Sequence, residues 1–123
     1  MTSNPVGWFE VYVQDMTRAR TFYEAVFQVG LEKLNTTVPE IWVFPQSLAA
    51  HGSGGALVRA EGVPSGGNST VVYFECADCA VEASRIVPAG GRILKDKFSV
   101  GQFGFVALGF DTEGNMFGLH SLQ

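Results

Sequence analysis

Charge is what this sequence has little of. Only 16% of its 123 residues are Asp, Glu, Lys or Arg, against about 25% in an average soluble domain. The 12 acidic and 8 basic residues leave a net charge of −4. No stretch gathers Lys and Arg on one face, which excludes a nucleic-acid footprint. Long apolar runs are missing too. The longest, Phe103 to Phe110, contains two glycines and falls far below the roughly 18 residues of a membrane span. No basic residue precedes Arg18, so neither a signal peptide nor a transit peptide is read, and a cytoplasmic protein without a membrane partner is expected. The sequons Asn35-Thr36-Thr37 and Asn68-Ser69-Thr70 then carry no weight. Cysteine is limited to Cys76-Ala77-Asp78-Cys79. No second CxxC or nearby His pair completes a zinc site. The pair straddles a strand end and a helix start, where a thioredoxin-like couple would also sit. The plainer reading is two thiols three apart with no redox task.

What the chain does have is apolar and aromatic bulk. Hydrophobic residues make up 46%, with ten Phe, three Tyr and two Trp. A chain of this length buries roughly two-thirds of its unfolded surface as one domain, and this composition excludes intrinsic disorder. Many rings on a weakly charged surface point to an aromatic-lined cavity or a buried subunit contact, and a homodimer is expected.

The sequence also repeats itself. The first copy opens on an alternating strand, Trp8 to Val13. Asp15 follows as an N-cap, ahead of Met16, Ala19, Phe22, Tyr23, Val26 and Phe27 at helical spacing. Gly30 is the expected helix stop. Strands are expected over Leu31–Val38, Ile41–Phe44 and Gly55–Ala60. The second copy opens with Val71 to Cys76, and Asp78 takes the N-cap place. Ala83, Ile86 and Val87 form its buried helical face, and Pro88 with Gly90-Gly91 closes the helix. Strands over Arg92–Lys95, Phe103–Phe110 and Asn115–His120 complete it, with Thr112-Glu113-Gly114 turning the last hairpin. Module one therefore spans about 6–60 and module two about 70–121, joined by the turn-rich stretch Gly62 to Asn68. Each copy reads strand, helix, three strands, and a helix covers only one face of such a sheet. The expected fold is α+β: two tandem βαβββ modules forming one curved-sheet domain with a concave pocket for a small molecule.

These residues resemble the vicinal oxygen chelate (VOC) superfamily of glyoxalase I, bleomycin-resistance proteins and extradiol dioxygenases. The resemblance is carried by Trp8-Phe9-Glu10-Val11, Asp15 with Arg18-Ala19 and Phe22-Tyr23, and Gly54 to Val58. It continues in Val63-Pro64-Ser65, Ala89-Gly90-Gly91, Lys97, Asp111 to Asn115 and Gly118 to Ser121. The match covers nearly the whole chain and is most similar to small bacterial glyoxalase-like proteins of unassigned activity. The resemblance implies paired βαβββ modules and, in the enzymes, a divalent metal bound from the opening and closing strands of each module. Carried onto this chain, those positions read Trp8, Val71, Gly118 and a residue within Gly55 to Leu57. None of these side chains ligates a divalent ion, so no metal cofactor is expected.

Period-two alternation names what else shares the concave face. With Trp8 inward, Glu10 and Tyr12 follow, while Phe9, Val11 and Val13 meet the helix. With Val71 inward, Tyr73 and Glu75 follow, and on the last strand Met116, Gly118 and His120 share a face. The candidate ligand-binding set is Trp8, Glu10, Tyr12, Tyr73, Glu75, Met116 and His120. Three functions stay open. One is a metal-free pocket for a small, aromatic or cationic molecule. Another is a glyoxalase-type lyase or isomerase with Glu10 as base and His120 as acid, with or without a divalent metal relocated to Glu10, Glu75 and His120. The third is a purely structural or interaction role, with Glu10 paired to Lys97 or Arg18. His51, in a glycine-rich loop, precedes a strand rather than a helix and reads as loop, not phosphate cradle. Ile41-Trp42-Val43-Phe44 reads as core or dimer contact, and Asp111 and Glu113 as turn residues.

Overall fold

The computed structural model describes residues 4–47, 49, 52–67, 69–112 and 115–123. It divides into two compact units, one of Trp8–Thr70, the other of Val71–Gln123 together with the segment ending at Gly7. Asn68 of the joining stretch, Glu113 and Gly114 of the hairpin turn, and His51 lie outside the described residues.

The first unit contains β1 (Val6–Tyr12), α1 (Met16–Phe27), β2 (Glu32–Lys33), β3 (Glu40–Val43) and β4 (Gly54–Arg59). Its strands run in the order β2-β3-β4-β1. The first strand pairs parallel with the last, Trp8 opposite Gly54 and Tyr12 opposite Val58, while the remaining pairs are antiparallel. Val13, Met16, Leu31 and Leu57 form its core, flanked by Val11, Ala19, Tyr23, Val29, Trp42 and Phe44. The second unit repeats the plan with β5 (Thr70–Glu75), α2 (Cys79–Ile86), β6 (Arg92–Ser99), β7 (Phe105–Phe110) and β8 (Met116–Ser121). Its order is β5-β8-β7-β6, again with the opening and closing strands parallel. Its core is Cys79, Ala83, Ile86, Ala107 and Leu119, bordered by Phe74, Cys76, Ile93, Phe105 and Phe117.

Both helices start where a carboxylate can accept an orphan amide. Asp15 accepts from Arg18 N at 3.0 Å, and Asp78 from Ala80 N at 3.0 Å. Bonding to the Lys97 ammonium at 2.8 Å, with the cap bond to Ala80, holds the Asp78 carboxyl below its ordinary range. Lys97 is therefore the partner of Asp78 and not, as the structural reading had it, of Glu10.

Several boundaries differ from the expected ones. Helix α1 ends at Gln28, which takes the left-handed conformation (φ 55°, ψ 49°), two residues before Gly30. Val29 N then donates to Glu24 O, and the Glu24 carboxylate accepts from Leu31 N, fixing the exit of the chain. The second strand keeps only Glu32–Lys33, because Leu34 N turns back to Ile41 O and the Thr36 hydroxyl closes onto Pro39 O. Strand β6 instead outruns its expected Arg92–Lys95, reaching Ser99 with irregular register on both sides of Lys95. Its Lys95-Asp96-Lys97 run conceals the strand pattern and suits an edge. Gly101–Phe103 forms a 3-10 turn, so β7 starts at Phe105.

The expected helical faces are narrower than their apolar content. In α1 only Met16, Ala19 and Tyr23 meet the core, whereas Phe22, Val26 and Phe27 are 59%, 54% and 60% exposed. A stripe of positions three and four apart is all that one sheet face covers. Val87 likewise lies outside the α2 core. Both thiols are free, Cys76 just beyond β5 and Cys79 buried at the first position of α2.

Candidate functional site

In each unit the helix covers one side of the sheet and the candidate residues occupy the other. Within the first unit, alternation along β1 sends Phe9, Val11 and Val13 to the helix side: Phe9 meets Phe44 at 5.8 Å between ring centroids, and Val11 and Val13 join the core. Trp8, Glu10 and Tyr12 share the opposite face, as expected. There the half-buried Glu10 carboxylate accepts from the Trp8 indole N–H at 3.2 Å and from the Tyr12 hydroxyl at 2.9 Å. The structure thus brings together the three candidates of this unit around one carboxylate.

Within the second unit, Tyr73 and Glu75 share the corresponding face of β5, opposite Gly118 and His120 of β8. The Tyr73 ring lies over Gly118, where any added Cβ would strike it. His120 Nδ1 and Glu75 Oε1 lie within hydrogen-bond distance at 2.8 Å. The other ring nitrogen, Nε2, lies 2.6 Å from the Phe103 carbonyl oxygen. Glu75 is itself held in place: its N–H donates to Pro5 O at 2.9 Å, and its side chain fills the space that a Cβ at Gly7 would need. Met116 sits at the far end of β8, paired with Phe110. The Phe103 carbonyl was not foreseen, because Phe103 reads as strand and a backbone acceptor leaves no trace in side-chain chemistry.

The two copies differ in a regular way. Counted back from the capping aspartates, Glu10 corresponds to Tyr73 and Tyr12 to Glu75. The carboxylate and the phenol have exchanged places.

The residues at the family's metal positions do not fit a divalent ion. Trp8 and Val71 offer no donor, Val71 and Leu57 are buried, Ala56 has only a methyl group, and Gly118 is capped by the Tyr73 ring. Among the described residues no three His, Cys, Asp or Glu side chains form a group that could hold a metal. Burial, reinforced by the nearby Glu82 charge, pushes the Cys76 thiol up to about 11, away from the thiolate a reactive cysteine needs.

Two clefts lie elsewhere, and neither is lined by a candidate residue. One of about 330 Å³ adjoins the start of α1 at Asp15, Arg18 and Phe22. The other, of about 310 Å³, lies beside α2 at Glu82, Ile86 and Phe110. Among the described residues no helix is long and apolar enough to cross a membrane.

Comparison with solved structures returns the same architecture. A Streptomyces coelicolor methylmalonyl-CoA epimerase in complex with 2-nitronate-propionyl-CoA superimposes with a TM-score of 0.67 at 16% identity, over 96% of each chain. The methylmalonyl-CoA epimerase of Mycobacterium tuberculosis gives 0.69 at 10% identity, over 97% of this chain and 88% of that one. A hypothetical protein of Bacillus halodurans gives 0.71 at 12% identity, over 99% and 96%. At these identities the likeness is one of fold. No curated protein matches the chain in sequence. The model of the Glyoxalase/Bleomycin resistance protein/Dioxygenase superfamily matches residues 6–119. With that match over nearly its full length and the βαβββ plan present twice, the chain belongs to the Glyoxalase/Bleomycin resistance protein/Dioxygenase superfamily.

Proposed function

We propose that this chain binds a small molecule, aromatic or cationic in character, on the helix-free side of its sheets and without a divalent metal. The observation that carries this reading is the Glu10 carboxylate held between the Trp8 indole and the Tyr12 hydroxyl. A few placed polar groups among rings are the usual lining of a selective small-molecule site, and ring faces beside a carboxylate attract an organic cation. In the second unit the corresponding candidates are Tyr73, Glu75, Met116 and His120. A thermal-shift panel of choline, benzylamine, aromatic carboxylates and coenzyme A thioesters tests the proposal. A ligand at 100 times its Kd adds about 2.7 kcal/mol of stability, a rise of several degrees in Tm, and Glu10→Gln is expected to remove most of it. A panel that leaves Tm unchanged throughout would sink the proposal.

The likeness to methylmalonyl-CoA epimerases favours a second reading, a glyoxalase-type lyase or isomerase that moves a proton beside a carbonyl. Glu10 would be the base and His120 the acid. Both nitrogens of His120 are already engaged, so an acid role requires one bond to be given up, and for this reason the binding reading ranks first. Undiminished turnover of a thioester substrate by Glu10→Gln would remove that role from Glu10. The exposed Phe22, Val26 and Phe27 support a homodimer, which elution at the mass of a single chain at micromolar concentration would overturn.

A further inference from the structure

The cleft beside α2 is made wholly by the unit that holds Val71–Gln123. It lies on the helix side of that sheet, on the face of β8 opposite to His120. Its floor is apolar: Ile86 of α2, Phe110 of β7, and Phe117 and Leu119 of β8. Ile86 and Leu119 belong to the core, and Phe117 packs against it, so the floor is built by the fold and not by a loop. At about 310 Å³ the cleft has the size of a site for a small ligand. Two charges of opposite sign border it, Glu82 and Arg85. They stand three apart on α2, where side chains are neighbours, yet among the described residues neither joins an ion pair. The Glu82 carboxylate is also poorly served. Its Oε1 is buried and accepts no hydrogen bond, and the Cys76 thiol, close enough to feel its charge, is a weak donor. A half-buried carboxylate left in this way takes a charged donor strongly through its second oxygen. The two signs suit the helix dipole, negative in the first turn and positive in the last. The dipole does not account for an acid with one oxygen closed off at the edge of an apolar floor.

We propose that this cleft is a second ligand site, for a zwitterion with an apolar side chain, the chemistry of a free α-amino acid such as phenylalanine or leucine. The ligand's ammonium bonds to Glu82, its carboxylate takes the planar fork of the Arg85 guanidinium, and its side chain lies on the floor of Phe110, Phe117 and Leu119. Both ligand charges are needed. A plain amine gains Glu82 but faces Arg85 as a like charge, and a plain acid gains Arg85 but faces Glu82. The site is separate from the face that carries Glu10 and stands whether or not that face binds anything.

The full chain, labelled with nitrogen-15, tests this by NMR titration at neutral pH with L-phenylalanine, phenethylamine and 3-phenylpropionate, each to about 10 mM so that millimolar binding is seen. Phenylalanine is expected to move the amides of α2, Phe110, Phe117 and Leu119 along a saturating curve. The two analogues with one charge are expected to bind about tenfold more weakly, each having lost a hydrogen bond between charged groups. Glu82→Gln and Arg85→Gln should each weaken phenylalanine by about the same factor, and Glu82→Gln should strengthen 3-phenylpropionate, which then meets no like charge. Ala89→Trp, on the exposed rim of the cleft, keeps both charges, fills the space and should abolish the shifts. Amides that stay unmoved by phenylalanine, or movement confined to Trp8–Tyr12, overturn the proposal. So does a one-charge analogue that binds as tightly as phenylalanine, or binding that survives Ala89→Trp.

Discussion

Gly118 stands at a family metal position with the Tyr73 ring lying over it, and Gly118→Ala measures how firmly that ring is held. Two effects oppose each other. Alanine narrows the unfolded ensemble and would by itself stabilise the chain by about 0.4–1 kcal/mol. Its methyl group would also overlap the ring atoms of Tyr73, which is 8% exposed and paired directly with residue 118 across the parallel ladder. Forcing an extra carbon into such packing costs about 1–3 kcal/mol, so overlap wins and a net loss of about 1–2 kcal/mol is expected. Urea unfolding should show this as a lower midpoint with unchanged slope. The background variant Tyr73→Ala makes the test specific. Without the ring, the same Gly118→Ala change should be neutral or mildly stabilising, giving a coupling of at least about 1 kcal/mol. A penalty of equal size in both backgrounds would refute the claim that the ring occupies this position.

Leu57 is fully buried in the first core, and Leu57→Ala should cost about 2–5 kcal/mol in urea or thermal unfolding; a loss below about 1 kcal/mol would mean that the core is assigned wrongly. Cys76, whose thiol is pushed up to about 11, should react with iodoacetamide at neutral pH much more slowly than an ordinary thiol of pKa about 8.5. The same shift fixes a sign. The unfolded chain loses this proton near the ordinary value while the folded chain keeps it, so the contribution to stability is complete below about pH 8.5 and falls as pH rises toward 11. In Cys76→Ala that part of the alkaline loss should disappear.

Much of the fold is legible because its signals are local. Asp15 and Asp78 each precede a helix after an alternating strand, and both cap as their chemistry dictates. Alternation likewise places Trp8, Glu10 and Tyr12 on one face, since period two leaves no other arrangement in a strand. Where the reading fails, long-range or backbone terms decide. Phe22, Val26 and Phe27 carry helical spacing, yet the width of the sheet face they would cover is not a local property. Gln28 ends α1 because Glu24 and Ala25 supply partners for its termination, a matter of side-chain reach rather than residue type. Lys97 pairs with Asp78 nineteen residues away, and the partner of His120 Nε2 is a main-chain carbonyl, to which side-chain patterns are blind.

The exchange of acid and phenol between the two copies bears on how this chain tolerates mutation. A protein assembled from duplicate modules begins with a spare of every residue, and a loss in one module is covered by its twin. Here Glu10 and Glu75 stand at different distances from their capping aspartates, as do Tyr12 and Tyr73, so neither copy offers the other's arrangement. A substitution at Glu10 and one at Glu75 therefore remove carboxylates from different places in the repeat, and the two are not equivalent.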